Sequence, residues 1–173
     1  MFRIAALLFL ALTAFSQQQP APRRAPDFTI QQVGAPDLKL RTYRGKVVVL
    51  ALLNTGCPHC QHFAQQLAHY QTEYGPKGVQ VLAVVFDREA RDGLTTFRDR
   101  YVKGFPVGYS DEATVMNWLE QPVDQGYFVP IVAFIDRAGM IQGQYMGDDD
   151  FFQDPDGNIR RKLDRLVRQP AAK

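Results

Sequence analysis

The chain has 173 residues, 46% of them hydrophobic, with 12 Phe, 7 Tyr and a single Trp, enough apolar and aromatic side chain for one domain with a substantial core. A formal charge of +2 gives no electrostatic reason to expect nucleic acid or an acidic membrane surface as a partner. There is no internal repeat and no low-complexity tract.

Residues 1–16 differ from the rest. Arg3 precedes an uncharged apolar run from Ile4 to Phe15, and Ala14 and Ser16 supply small residues where a signal peptidase reads. A run of about twelve residues falls short of the roughly 20 that span a bilayer, and the layout is that of a secretory signal peptide. No cysteine follows the run, which excludes a bacterial lipoprotein anchor. The chain is therefore expected to be exported, periplasmic or otherwise extracytoplasmic, with no stable membrane insertion after cleavage. The polar, proline-rich stretch 17–26 reads as a flexible leader, and 27–173 as the folded domain.

Residues 27–45 alternate apolar and polar around Gly34-Ala35-Pro36-Asp37, which predicts an N-terminal β-hairpin. The aliphatic run 47–53, Val-Val-Val-Leu-Ala-Leu-Leu, predicts a strand buried on both faces. Phe63, Leu67, Tyr70 and Tyr74 then recur at helical spacing over 58–74, and Gly75-Pro76 ends that helix. A second buried strand follows at 79–86, an amphipathic helix at 89–103 and a short strand at 105–110. A short helix is expected over 111–120, with Ser110 or Asp111 as its N-cap. Segments 130–136 and 140–147 flank Arg137-Ala138-Gly139 as an antiparallel hairpin, and 157–169 predicts a C-terminal helix that turns Ile159, Leu163, Leu166 and Val167 inward. This order describes an α/β domain with a central mixed sheet flanked by helices.

Both cysteines of the chain stand in Cys57-Pro58-His59-Cys60, between the first buried strand and its helix. That is the end of an open α/β sheet where sites collect. A helix that starts at or just after Cys57 directs free backbone N–H groups and about half a positive charge at its sulfur, which stabilises a thiolate. Pro58 suits the first helical position because its missing N–H would have had no partner. Cys60, one turn further in, is expected to be the sheltered sulfur, and one exposed thiol beside one sheltered thiol suits a nucleophile and a resolving partner. His59 between them can donate a hydrogen bond to Cys57 or add charge, favouring the reduced form and making the disulfide more oxidising. As a structural staple the pair is poor, because so short a loop restrains little unfolded-state entropy. A closed zinc site normally needs a second ligand pair, and beyond His59 and His62 the chain offers only His69. No metal is expected, and His62 and His69 read as polar surface residues.

These residues resemble the thioredoxin-like superfamily, in particular its TlpA/ResA-like exported thiol–disulfide oxidoreductases, from about Ala25 to the C-terminal helix. The resemblance is carried by Ala25-Pro-Asp-Phe-Thr-Ile30, by Tyr43-Arg-Gly-Lys before the first core strand, by the CxxC after it, and by Val129-Pro130-Ile-Val-Ala-Phe-Ile-Asp136. It implies a thioredoxin-like fold, a Cys57–Cys60 redox pair, and a cis-proline at Pro130 after Val129 that packs against the pair and offers backbone hydrogen bonds to a bound peptide. Cys-Pro-His-Cys and a Val before the proline are also similar to oxidising DsbA-type sites. The implied partners are cysteine-containing protein substrates and a redox partner protein; the implied state is a monomer without cofactor. Ala51 and Phe63 stand where related reductants carry a buried acid, and Thr55-Gly56 replaces the usual Trp, so oxidation or isomerisation is the expected direction and reduction, as in cytochrome c maturation, the alternative. A peroxiredoxin-like peroxidase would want Thr where Asn54 stands. A copper carrier would space its cysteines more widely and add a histidine beyond His69.

Overall fold

The computed structural model describes residues 22–122 and 126–170. The expected signal segment 1–16 and the first five residues of the leader lie outside the described residues. Six strands form one sheet: β1 (Arg23–Arg24), β4 (Val47–Leu53), β5 (Val79–Val85), β6 (Val107–Tyr109), β7 (Ile131–Ile135) and β8 (Met140–Tyr145), in the order β1-β8-β7-β4-β5-β6. A separate two-stranded ribbon joins β2 (Thr29–Ile30) to β3 (Leu38–Lys39). β4 runs parallel to β5 from Val47↔Val79 to Leu53↔Val85 and antiparallel to β7 from Val48↔Ile135 to Leu52↔Ile131. The sheet is therefore mixed, with β4 at its centre.

All seven residues of β4 are buried, and their alternation divides the interior into two layers. Val47, Val49, Ala51 and Leu53 face α1 (Pro58–Tyr74), α2 (Ala90–Tyr101) and α4 (Pro155–Arg168). Val48, Leu50 and Leu52 face α3 (Glu112–Leu119), Phe28, Ile30 and Leu40. Burial of each such aliphatic side chain stabilises the fold by roughly 1.5–3 kcal/mol. The fold is the α/β arrangement with a mixed sheet and flanking helices that the sequence predicts.

Several boundaries differ. The N-terminal hairpin is present but short, because Leu40–Tyr43 turns into a 3₁₀ helix instead of extending the second strand. Its tip end docks on the sheet edge through the Gln31↔Tyr109 bridge. The close approach falls on Gly108, where a Cβ would overlap the Gln31 carbonyl. Asp111, not Ser110, caps α3 by accepting the Thr114 N–H at 2.8 Å. α4 begins at Pro155 with Asp154 as its cap, earlier than the expected 157. The leader is not free to its end: Arg23–Arg24 pairs with β8, Arg23 Nη2 donates to the Trp118 carbonyl at 2.9 Å, and Trp118 Nε1 donates to the Pro26 carbonyl at 3.1 Å. A short polar segment with no alternation carries no strand signal, and only the tertiary edge of β8 makes it one.

Candidate active site

β4 ends at Leu53 and α1 starts at Pro58, so Asn54–Cys57 carries the chain from sheet to helix. Cys57 is the N-cap of α1, extended at φ −86° and ψ 116°, and its Sγ accepts the Cys60 N–H at 3.4 Å. A capping side chain is ordinarily an oxygen of Ser, Thr, Asp or Asn; here the sulfur takes one of the helix's free N–H groups. Pro58 occupies the first helical turn, and Gln61 N–H closes on the Cys57 carbonyl at 3.0 Å. Cys57 is half-buried and Cys60 is 0% exposed. Both are free thiols. Burial pushes the Cys60 thiol far above its ordinary range, a hydrogen bond from the Asn54 backbone offsets part of this, and Cys57 and Asp87 add to the upward shift.

Because β7 lies antiparallel to β4, pairing Leu52 with Ile131, the start of β7 stands beside the end of β4. The peptide before it, Val129–Pro130, is cis. Val129 and Pro130 line a cavity of about 260 Å³ with His59, His62, Phe63 and Phe152. Phe63 and Phe152 meet edge to face, with ring centroids 5.5 Å apart. Gly147 donates its N–H to the Phe128 carbonyl at 2.8 Å, and a Cβ on it would come within 2.8 Å of the Val129 oxygen. The Phe128 side chain is 63% exposed.

The structure thus brings Cys57, Pro58 and Cys60 to the helix start and His59, Val129 and Pro130 to one cavity beside it. Among the described residues, His59 makes no hydrogen bond to Cys57; it is exposed and lines the cavity. His62, read from sequence as a surface residue, is exposed and lines the same cavity, while His69 is simply exposed. Among the described residues no group of three or more His, Cys, Asp or Glu could hold a metal ion.

Sequence reasoning missed Asp87. It follows β5, whose parallel pairing with β4 brings both C-terminal ends to the same edge, and Phe86 N–H bonds the Leu53 carbonyl at 3.1 Å. Asp87 Oδ2 accepts the Thr55 N–H at 2.5 Å and the Thr55 hydroxyl at 2.7 Å. The Thr55 carbonyl in turn accepts Gln61 Nε2 at 2.9 Å. Ala51 and Phe63 are apolar core, as their types require, and the acid at this site arrives from the neighbouring strand instead. The available signal was an Asp directly after the second parallel strand.

The chain is 29% identical over 93 residues to the thiol-disulfide oxidoreductase ResA of Geobacillus thermodenitrificans, a match covering 54% of this chain and 53% of that protein. It is 26% identical over 132 residues to the thioredoxin-like protein YneN of Bacillus subtilis, covering 72% of this chain and 71% of that one. It spans about half the length of the ResA relative. A thiol:disulfide interchange protein of the thioredoxin family from Chlorobium tepidum superposes with a TM-score of 0.68 at 16% identity, over 87% of this chain and 99% of that one. That likeness shows a thioredoxin-like fold. The AhpC/TSA family profile matches residues 22–144, and the chain belongs to that family.

Proposed function

We propose that this protein is a thiol–disulfide oxidoreductase that exchanges disulfides with cysteines of other proteins through Cys57 and Cys60. The observation that carries the reading is the asymmetry of the pair. Cys57 is half-buried and caps a helix with its sulfur, and Cys60 is fully buried one turn inside. The names borne by the ResA relative and the structural neighbour support the same chemistry. In the oxidising direction a substrate thiolate attacks Cys57 of the Cys57–Cys60 disulfide, forms a mixed disulfide and releases Cys60. A second substrate thiol then resolves it and leaves Cys57 reduced. In reverse, the Cys57 thiolate attacks a substrate disulfide and Cys60 resolves.

The cavity beside Val129 and Pro130 is the proposed seat of the substrate segment, with apolar walls from Phe63 and Phe152 and imidazoles from His59 and His62. No cofactor enters this exchange, the working unit is proposed to be a monomer, and the 1–16 segment is proposed to direct export. Oxidation or isomerisation is the favoured direction because of Cys-Pro-His-Cys. Reduction is the second reading, favoured by the acid that Asp87 brings to the pair. Equilibration against glutathione separates them. Oxidation requires a potential clearly above the about −270 mV of thioredoxin, and a value at or below it establishes the reductant.

A further inference from the structure

The cavity of about 260 Å³ beside Val129 and Pro130 has two kinds of wall. Phe63 and Phe152 form an apolar one, edge to face with ring centroids 5.5 Å apart. His59, His62 and Gln66 form the other, at i, i+3 and i+7 of α1, a spacing that sets all three on one helical stripe. None of these three side chains hydrogen-bonds to another described residue, so their polar atoms are open to a ligand. Among the described residues no Asp, Glu, Lys or Arg lines this cavity. Its titratable groups are the two imidazoles, so the charge its walls can carry is positive. The start of α1 adds the positive end of a helix dipole beside His59.

The segment opposite is acidic in sequence, yet its carboxylates are engaged elsewhere. Asp149 accepts the Met146 N–H at 2.6 Å and Asp150 accepts Gln153 Nε2 at 2.7 Å, and both line a separate cavity of about 430 Å³ with Arg161, Lys162 and Arg165. Asp154 caps α4 through the Gly157 N–H at 3.0 Å, and Asp156 accepts the Tyr70 hydroxyl at 2.7 Å. Asp148 is exposed and lines neither cavity. Further along α1, His69 is exposed and Glu73 pairs with Arg160. From the side of β7 the cavity receives Val129 and Pro130, which carry no charge.

Resting on the redox-pair reading above, we propose that His59 and His62 select the substrate, and that the cavity takes a peptide segment with an Asp or Glu carboxylate within a few residues of its reacting cysteine. The apolar wall holds the segment's hydrophobic neighbours, while the imidazoles and the Gln66 amide donate to the carboxylate. Imidazole is the side chain that changes charge between about pH 5 and 8, so the selection strengthens on acidification. In the disulfide form Cys57 has no thiolate to compete for His59, and the selection acts on the oxidised protein.

The test uses the full chain in its disulfide form and pairs of dithiol peptides in one tube. The two peptides differ only in Glu or Gln at one position, placed in turn from three residues before the first cysteine to three after it. Acid quenching and mass spectrometry give the ratio of oxidised peptides. The same pair against dithiodipyridine, a small neutral disulfide, gives the intrinsic ratio to divide out. Internal competition cancels the loss of thiolate at low pH.

At one or more positions Glu is expected to be preferred by about 3- to 5-fold at about pH 5.5, and the preference should shrink by about pH 7.5. His59→Gln and His62→Gln should each lower it, and the double variant should bring it to none at either pH. Combining His59→Gln with His62→Lys restores a fixed positive charge, so the preference should return and become nearly independent of pH. A merely structural role for the histidines would slow both peptides alike and leave the ratio unmoved. Absence of a Glu preference at every position overturns the proposal, as does a preference that survives in the double variant or that ignores pH in the wild type.

The redox pair is read separately from thionitrobenzoate release by the reduced chain with dithiobis(nitrobenzoate). Two equivalents are expected, one from attack by Cys57 and one from resolution by Cys60. A trace that stops at one equivalent sinks the redox-pair reading, and the selection with it.

Discussion

Cys57 and Cys60 differ because the backbone treats them differently. Cys57 stands before the first turn of α1, where N–H groups are unpaired, while Cys60 is sealed in the core layer that also holds Leu53, Phe63 and Ala64. Cys57→Ser should abolish exchange, whereas Cys60→Ser should accumulate mixed disulfides at Cys57, visible by non-reducing electrophoresis and mass spectrometry. Absence of adducts on Cys57 in that variant would contradict the assignment of the nucleophile. Burial of Cys60 also has a thermodynamic signature in the reduced protein. Its folded-state pKa is raised, so it keeps its proton where the unfolded thiol, with a pKa of about 8.5, has lost it. The stabilisation is complete below about pH 8.5 and declines above it, by at most about 1.4 kcal/mol per pH unit. The urea midpoint of the reduced protein should therefore fall between about pH 8.5 and 9.5, below the ordinary tyrosine range near 10. In Cys60→Ala this part of the decline should disappear, and an unchanged profile would rule out Cys60 as its source.

At the level of elements, α1 and β4 were legible to the residue. Seven consecutive aliphatic residues are what a doubly buried strand requires, and Phe63, Leu67, Tyr70 and Tyr74 turn one helical face to the core. The cis peptide at Val129–Pro130 was legible only through the family resemblance. Less visible were contacts that join residues far apart in sequence, which no local period records. Asp87 reaches Thr55 from the next strand, and the cavity takes Phe152 from the segment before α4. Arg137 is another case. It sits in the β7–β8 turn, yet its Nη1 donates to the carbonyls of Leu166, Val167 and Gln169 at 3.2, 3.1 and 2.6 Å. A cation is favourable at a helix C-terminus, where the last carbonyls lack helical partners, although the Leu166 carbonyl also accepts the capping Gln169 N–H at 3.2 Å. Arg137→Ala should lower unfolding stability by about 1–3 kcal/mol, read from urea denaturation, with the site's thiol reactivity retained. The Gly147 contact tests the cavity itself. Gly147→Ala pushes a methyl against the Val129 carbonyl, so it should weaken exchange with a peptide disulfide more than with a small aromatic disulfide. Equal loss on both would show that the Val129 backbone does not seat a peptide.

Across the whole molecule, the two layers on either side of the sheet have separate tasks. The layer containing α1, α2 and α4 carries the cysteines and the cavity wall, while the layer of α3 is closed by the N-terminal segment. The closure depends on residues that composition alone assigns to a linker. Arg23 bonds the Trp118 carbonyl and Gln144, Trp118 Nε1 bonds the Pro26 carbonyl, and Phe28 packs on the Trp118 ring at 5.7 Å. Since Trp118 is the only tryptophan in the chain and is 3% exposed, the chain's tryptophan fluorescence reports the surroundings of this one ring. A chain that starts at Pro22 should keep the buried emission. One that starts at Asp27 loses both the edge strand and the indole's acceptor; its emission should shift to the red and its melting temperature should fall by several degrees, as a loss of about 1 kcal/mol predicts for a domain of this size. Identical spectra and melting curves for the two chains would return residues 22–26 to the leader. Because the segment pairs with β8 on the edge remote from β5 and β6, the Asp27 chain should still release two thionitrobenzoate equivalents below its melting temperature, which separates closure of the far layer from the chemistry of the cysteines.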